Sequence, residues 1–338
     1  LSTYAFANCE SIEEVVLPSN MTTINSNAFK NTPNLKKITL PEGLTSLKSY
    51  SFDGSGITSI VIPAGVEKIE SNTFVNCANL ASVELNNVNY IDSYAFKNCT
   101  SLKEINLTHN IKTLGTNVFY ASGLESVVVP NSLTTFGNGA FWSCESLKTV
   151  TFEDGLTIIP KNILSNCTSL ETVNIPASVT TISASAFSDS GLKSFVVPDT
   201  VLLLGESCFA GCASLTSVTL SKSLVEIPKS CFSNTGLTEI TIPFNIISLA
   251  NSSFAGCASL TNVNIEGMLK TVGYSVFNDC TAINNIYFNL DQMVSFATSA
   301  FENWTSEQTI RFNIDKKSFE TLYSGSFTNC GSNIIYED

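Results

Sequence analysis

Repetition limits how this chain can fold more than any other feature. The eight residues Phe209-Ala-Gly-Cys-Ala-Ser-Leu-Thr216 return unchanged at Phe254 to Thr261, and looser copies stand about every 22 or 23 residues on both sides. Phe leads the unit at positions 6, 29, 52, 74, 96, 119, 141, 187, 209, 232, 254, 277, 301 and 327, with Leu164 filling the one gap, so fifteen units run end to end. A fixed period in the twenties marks a solenoid, because a unit this short cannot bury its own apolar side and must stack on its neighbours. The Phe residues are expected to form one interior ladder, each ring contributing roughly 1.5–3 kcal/mol by burial.

Within the unit, Asn, Asp or Gly stands two places after most of the leading residues, at Asn8, Asn31, Gly54, Asn76, Asn98, Asn166, Asp189, Gly211, Asn234, Gly256, Asp279, Asn303 and Asn329. These residues tolerate positive φ, so the spacing predicts a short helical turn that carries the Phe and ends in a left-handed residue. Next comes Leu-x-x-Val-x-Leu/Ile, as in Leu170 to Ile175 and Leu260 to Ile265, whose alternation predicts a short strand with one buried face. Pro18, Pro41, Pro63, Pro130, Pro176, Pro198 and Pro243 close that strand, since Pro cannot donate to a ladder. A second, weaker extended run follows, such as Leu133 to Phe136 or Val179 to Ile182.

Most units with a 22-residue advance carry Ser-Gly or Thr-Gly where the others have Cys-x-Ser, as at Ser55-Gly56, Ser122-Gly123, Ser190-Gly191 and Thr235-Gly236. The missing residue therefore falls in a turn. The first three of these units are three repeats apart, and Pro160 and Pro228 recur in Ile-Pro-Lys contexts, which points to duplication of a three-unit block.

The pairing of Ala-Phe-x-x-Cys-x-x-Leu with Leu-x-x-Val-x-Ile-Pro at this period resembles the BspA-type leucine-rich repeat family, from Phe6 to about Phe288. The resemblance implies a curved leucine-rich solenoid on a secreted or surface-attached protein of host-associated bacteria or some protists, with adhesion or partner binding as its role. It supplies no catalytic residues. The expected fold is a mainly β repeat solenoid with short helical turns, a curved parallel-sheet array of about 15 coils. Residues 1–290 form the regular array, and 291–338 form irregular last repeats and a C-terminal cap of the same domain.

Net charge is −12 and Arg occurs once, at Arg311, so nucleic acid is a poor partner. No apolar run approaches the ~20 residues of a membrane span, and no membrane insertion is expected. Leu1 lies inside a repeat unit, which leaves the question of a targeting segment open.

Nine of the eleven Cys, at 9, 77, 99, 144, 167, 212, 257, 280 and 330, sit three residues after the leading residue. Position explains them better than pairing: a small, weakly polar side chain suits an interior slot, which Thr32, Ser55, Ser122, Ser190 and Thr235 occupy elsewhere. Free buried thiols are expected. Cys208 and Cys231 read as core filling too.

Lys103, Glu125, Lys148, Glu171 and Lys193 alternate in sign at one position of five consecutive units and are expected to neutralise one another. In the tail, Thr309 to Ile314 predicts a final strand, and Asp315 predicts the N-cap of a helix that buries Phe319, Leu322 and Tyr323. Trp304 and Tyr323 read as burial of the array's end rather than a sugar-stacking pair.

Chemistry is sparse. The only His, His109, lies in a polar turn, so nucleophile arrangements built on His lack support. Phosphate loops and zinc spacings are absent, the acidic pairs Glu13-Glu14 and Glu153-Asp154 have no cleft to flank, and the Asn/Asp turns lack a repeated carboxylate set for calcium. No cofactor and no enzymatic activity is expected.

What remains is a surface. The outward residues of the first strands are Glu104, Asn106, Ser126, Val128, Thr149, Thr151, Thr172, Asn174, Ser194, Val196, Ser217 and Thr219, with Tyr287 nearly alone as an aromatic anchor. Two functions fit. One is a monomeric, non-enzymatic scaffold, extracellular or on the cell surface, that binds protein or glycan partners through this face. The other is a structural stalk or spacer that presents another domain.

Overall fold

Phe29 shows how one coil is tied to the next. In the computed structural model its N–H donates to the Ser51 carbonyl of the following coil at 2.7 Å, and those of Asn27 and Asn31 donate to Ser49 and Asp53 at 3.3 and 2.7 Å. Between them, Ala28 and Lys30 bond locally to the carbonyls three residues back. Alternate N–H groups thus point along the solenoid and into the turn. An α-helix would aim all of them back along its own chain, so the segment around each Phe is a string of tight turns rather than the helical turn expected.

Two left-handed residues per coil enforce this path. The expected row two places after the leading residue is left-handed from Asn8 through Asn303, with Ala121 and Ser143 adopting it as well. Asn329 lies outside the described residues, which are all except Met268, Gln292, 324–326, Thr328, Asn329 and Asp338. A second row, two places before it, was not anticipated: Tyr4, Asn27, Tyr50, Asn72, Tyr94, Asn117, Gly139, Asn162 and their counterparts through Ser275. Tyr and Ser pay a steric cost of roughly 1–2 kcal/mol there, which the axial hydrogen bonds offset.

The chain divides into two compact units, Leu1–Leu156 with Asn162–Pro176, and Thr157–Lys161 with Ala177–Asp338. In the first, the strand after each turn segment pairs in parallel: Glu14–Val16 with Lys37–Thr39, Ser59–Ile62 with Ser82–Leu85, and Ser126–Val129 with Thr149–Phe152 and then Thr172–Asn174. Register is exact repeat on repeat, with Val150 between Val127 and Val173. The second strands form one six-stranded parallel sheet from Thr23–Ile24 to Thr135–Phe136. Phe6, Phe29, Phe52, Phe74, Phe96, Phe119 and Phe141 stack at centroid spacings of 5.2–5.5 Å, with planes within 16° of parallel.

The second unit repeats the plan. Ser194–Val196 pairs with Ser217–Thr219, and Glu239–Ile242 with Asn262–Ile265; Asn285–Phe288, Thr309–Phe312 and Asn333–Tyr336 form a last ladder. Its ring column runs from Phe187 through Phe209, Phe232, Phe254, Phe277 and Phe301 to Phe327, at 5.3–5.9 Å. The helix Lys316–Tyr323 begins where expected, with the Ser318 N–H donating to Asp315 Oδ1 at 3.0 Å. Phe319 and Tyr323 are buried, but Leu322 is half-exposed rather than on the buried face.

The shortened turns change the first-strand ladder. A Cβ on Gly56, Gly123 or Gly236 would lie 1.9, 2.0 or 2.2 Å from the carbonyl oxygen of Pro33, Thr100 or Ala213 in the preceding coil, closer than any real contact. Only Gly lets the clipped turn lie on that backbone. The strand that follows each of them, at Ser59, Ser126 and Glu239, begins a new ladder instead of extending the old one. Another restart, at Asn285–Phe288, follows a full-length turn, and nothing in that turn explains it.

Two substitutions test this account by urea unfolding. Phe209→Ala is expected to cost about 3–5 kcal/mol, whereas Phe209→Leu, the residue that position 164 already carries, costs well below that. Gly123→Ala is expected to destabilise at the upper end of the roughly 0.5–3 kcal/mol range of single substitutions, despite adding one methyl group.

Candidate functional site

The strand face is built by alternation. In Thr149–Phe152 the first and third residues are exposed and the second and fourth buried, and the same phase holds along the paired strands. Ser126, Thr149 and Thr172 therefore form one exposed column of the first unit, and Val128, Thr151 and Asn174 a second beside it. In the second unit Ser194 stands beside Ser217 and Val196 beside Thr219. All of these are exposed, and Val196 and Val128 are the most apolar points of the face.

Glu104 and Asn106 depart from expectation. Their coil keeps the alternation, with Ile105 and Leu107 buried, but forms no strand, because it lies between the ladder that ends at Ser82–Leu85 and the one that Ser126–Val129 begins. Both still join the face, lining a cleft with Ser126, Val128, His109 and Glu153, so that Glu153, contrary to expectation, does border a cleft. His109 Nε2 lies 3.0 Å from Glu153 Oε2, and the same oxygen accepts the Asn131 N–H at 3.0 Å. The Asn131 N–H, with a smaller contribution from His109, holds the Glu153 carboxyl below its usual value. In the charge column, Lys103 and Glu125 close an ion pair at 2.6 Å, which lowers the Glu125 carboxyl, and Lys148 adds to that from the other side.

A cleft in the second unit was missed at the level of sequence. It opens between Ser217–Thr219 and Glu239–Ile242, where the ladder restarts, and is lined by Ser217, Thr219, Lys222, Glu239, Thr241, Phe244, Asn262 and Glu266. Phe244 is 68% exposed. One signal was available: the residue after the strand-closing Pro is Ser19, Glu42, Ala64, Asn131, Ala177 or Asp199 elsewhere, and Phe only at 244.

The interior slot three residues after the Phe has a more definite role than small size. The thiols of Cys77, Cys144, Cys212 and Cys257 donate to the carbonyls of Phe52, Phe119, Phe187 and Phe232, each at 3.0 Å. Where Trp304 takes the position, its indole Nε1–H makes the same bond to Phe277 at 2.9 Å. Ser and Thr were expected here only as small, weakly polar fillers. Instead the hydroxyls of Ser55, Ser122, Ser190 and Thr235 meet the Sγ of the next Cys at 3.2–3.5 Å. The slot selects for a hydrogen-bond donor. All eleven Cys are free thiols, and nine are buried.

Burial raises Cys77 and Cys144 to about 12 and Cys212 to about 11, whereas Cys257 is lowered by its hydrogen bond with Cys280. Thiols raised in this way are poor nucleophiles and poor metal ligands. Among the described residues no group of three or more His, Cys, Asp and Glu is placed to hold a metal ion, and no helix is long and apolar enough to cross a membrane.

Stacked coils with parallel short strands, a Phe column and a repeating Leu-x-x-Val strand define a leucine-rich repeat solenoid. The profile of the family described as BspA type Leucine rich repeat region matches residues 1–124, 89–216 and 203–335, in six copies. The chain belongs to that family. No curated protein matches it. Among solved structures it is similar to a leucine-rich repeat protein of Bacteroides ovatus, with 22% identity and a TM-score of 0.66 over 99% of this chain and 80% of that one. A leucine-rich repeat protein of Eubacterium ventriosum shows 20% identity and a TM-score of 0.53 over 75% and 78%. A leucine rich cell surface protein of Faecalibacterium prausnitzii shows 20% identity and a TM-score of 0.52 over 95% and 92%. At these identities the likeness concerns the fold.

The thiols yield a pH test. For Cys77, Cys144 and Cys212 the pKa is higher folded than unfolded, so the stability these three contribute is complete below the unfolded value of about 8.5 and is lost as pH rises toward the folded values of about 11 to 12. At pH 10 each should have lost about 2 kcal/mol. Urea midpoints at pH 7 and pH 10 measure this, and a thiol reagent should find the nine buried groups only after unfolding.

Proposed function

We propose that the chain is a non-enzymatic binding module, displayed at a cell surface or outside the cell, that holds protein or glycan partners on the exposed face of its first strands. One observation carries this reading: polar and β-branched residues from successive coils, Ser126, Thr149 and Thr172 with Val128, Thr151 and Asn174 beside them, stand exposed in register on a rigid ladder. The Ser126, Thr149 and Thr172 column offers a partner a hydroxyl at each strand spacing, about 4.8 Å. Individually weak contacts of this kind gain strength by repetition. The description of the Faecalibacterium prausnitzii neighbour as a cell surface protein supports the location.

The test is a display experiment. The protein, as monomer and clustered on beads, is screened against extracellular matrix proteins and glycans, and the retained partner is titrated against wild type and the double variant Thr149→Lys, Thr151→Lys. Both positions are exposed, so stability should change by less than about 0.5 kcal/mol while affinity for a partner on this face falls more than about tenfold. If clustered protein retains nothing, the array is a spacer and the proposal fails.

A further inference from the structure

The cleft beside Phe244 has the composition of a ligand site. Phe244 projects from a turn that is firmly tied: its neighbour Asn245 donates through Nδ2 to the carbonyls of Lys222 and Leu224, and the Ile246 N–H bonds to the Pro243 carbonyl at 3.0 Å. Gly267 of the next coil lies so close that a Cβ there would come within 2.5 Å of the Phe244 carbonyl oxygen. A large aromatic ring, 68% exposed, is thus held on an immobilised backbone. Binding to such a site costs little ordering of the protein.

The lining decides what would bind. Glu239 and Asn262 are in-register neighbours across a ladder, with Thr241 one step on, and Lys222 and Glu266 complete the rim. Carboxylates accept, the ammonium donates, and the carboxamide and hydroxyl do both. An anionic ligand would meet Glu239 and Glu266. A basic peptide would meet Lys222, whose ammonium has no carboxylate within 4.0 Å among the described residues. A mixed set of donors and acceptors with both charge signs suits a neutral polyhydroxyl ligand, and the exposed face of Phe244 suits the flat, C–H-bearing face of a sugar ring.

We infer that this cleft is a subsite for a neutral hexose unit of a glycan, stacked on Phe244 and hydrogen-bonded by Glu239, Asn262 and Lys222. The inference rests on the reading of this face as a binding surface and names the ligand for one place on it.

An array carrying neutral oligosaccharides that end in glucose, galactose, mannose or N-acetylglucosamine, with sialylated and sulfated glycans and Lys/Arg-rich peptides alongside, provides the test. It is probed with wild type, Phe244→Ala, and the Thr149→Lys, Thr151→Lys variant. Because Phe244 is exposed, Phe244→Ala should leave the melting temperature unchanged. The expected result is binding to at least one neutral glycan that weakens about tenfold or more in Phe244→Ala and is unchanged in the double Thr variant. Binding confined to anionic glycans or peptides, neutral-glycan binding indifferent to Phe244→Ala, or no neutral-glycan binding overturns the assignment. A partner lost in the double Thr variant but kept by Phe244→Ala would leave the strand-face proposal standing while the cleft assignment falls.

Discussion

No coil of this protein can stand alone, and the interaction that makes it a folded object is the contact of each coil with its neighbours. That contact has two parts acting on the same residues. Phe rings stack at 5.2–5.9 Å within each unit, and the N–H of the same Phe reaches a carbonyl of the next coil. Ring spacing and backbone spacing must agree, and they do only because the left-handed residues on either side of the Phe turn alternate N–H groups onto the solenoid axis. Were the segment helical, those groups would be consumed locally and the rings would lose their common axis.

The donor slot follows from the same constraint. The Phe carbonyls face inward and accept the N–H three residues on, as Phe52 does from Ser55 at 2.9 Å and Phe119 from Ser122 at 3.0 Å, which leaves a second lone pair for a donor from the next coil. A thiol from the next coil reaches the carbonyls of Phe52, Phe74, Phe119, Phe141, Phe187, Phe232 and Phe254, and the Trp304 indole reaches that of Phe277. Free, buried, high-pKa thiols are therefore structural hydrogen-bond donors here. Nine of the eleven occupy that slot, so their recurrence follows the repeat.

The two clefts described above lie where the repetition is interrupted. A perfect ladder would present a smooth face of small polar residues. The clipped turns at Gly123 and Gly236 restart the ladder, and clefts lined by polar and charged residues lie beside those restarts, one holding His109 and Glu153 and the other Phe244. A clipped turn thus does more than shorten a coil: it places a discontinuity in the ladder, and the loops around each one differ in chemistry.

The period, the Phe column, the strand phase, the Pro turns and the interior position of the Cys were all legible in the sequence, because each is a local pattern repeated many times. The first row of left-handed residues was legible for the same reason, since Asn, Asp and Gly advertise it. The second row was not: Tyr4, Tyr94, Ser207 and Ser252 have no intrinsic preference for positive φ, and their N–H groups bond to carbonyls of the next coil. Nor could spacing show that Glu104 and Asn106 sit on an unpaired segment, or that the Cys slot is defined by a donor, since both depend on where a neighbouring coil's carbonyls lie. Sequence by itself determined that this chain is a stack of like coils. Tertiary structure alone decided where the ladder breaks and which side chains meet at the breaks, because a one-residue deletion is visible in a turn while its effect falls on the strand that follows.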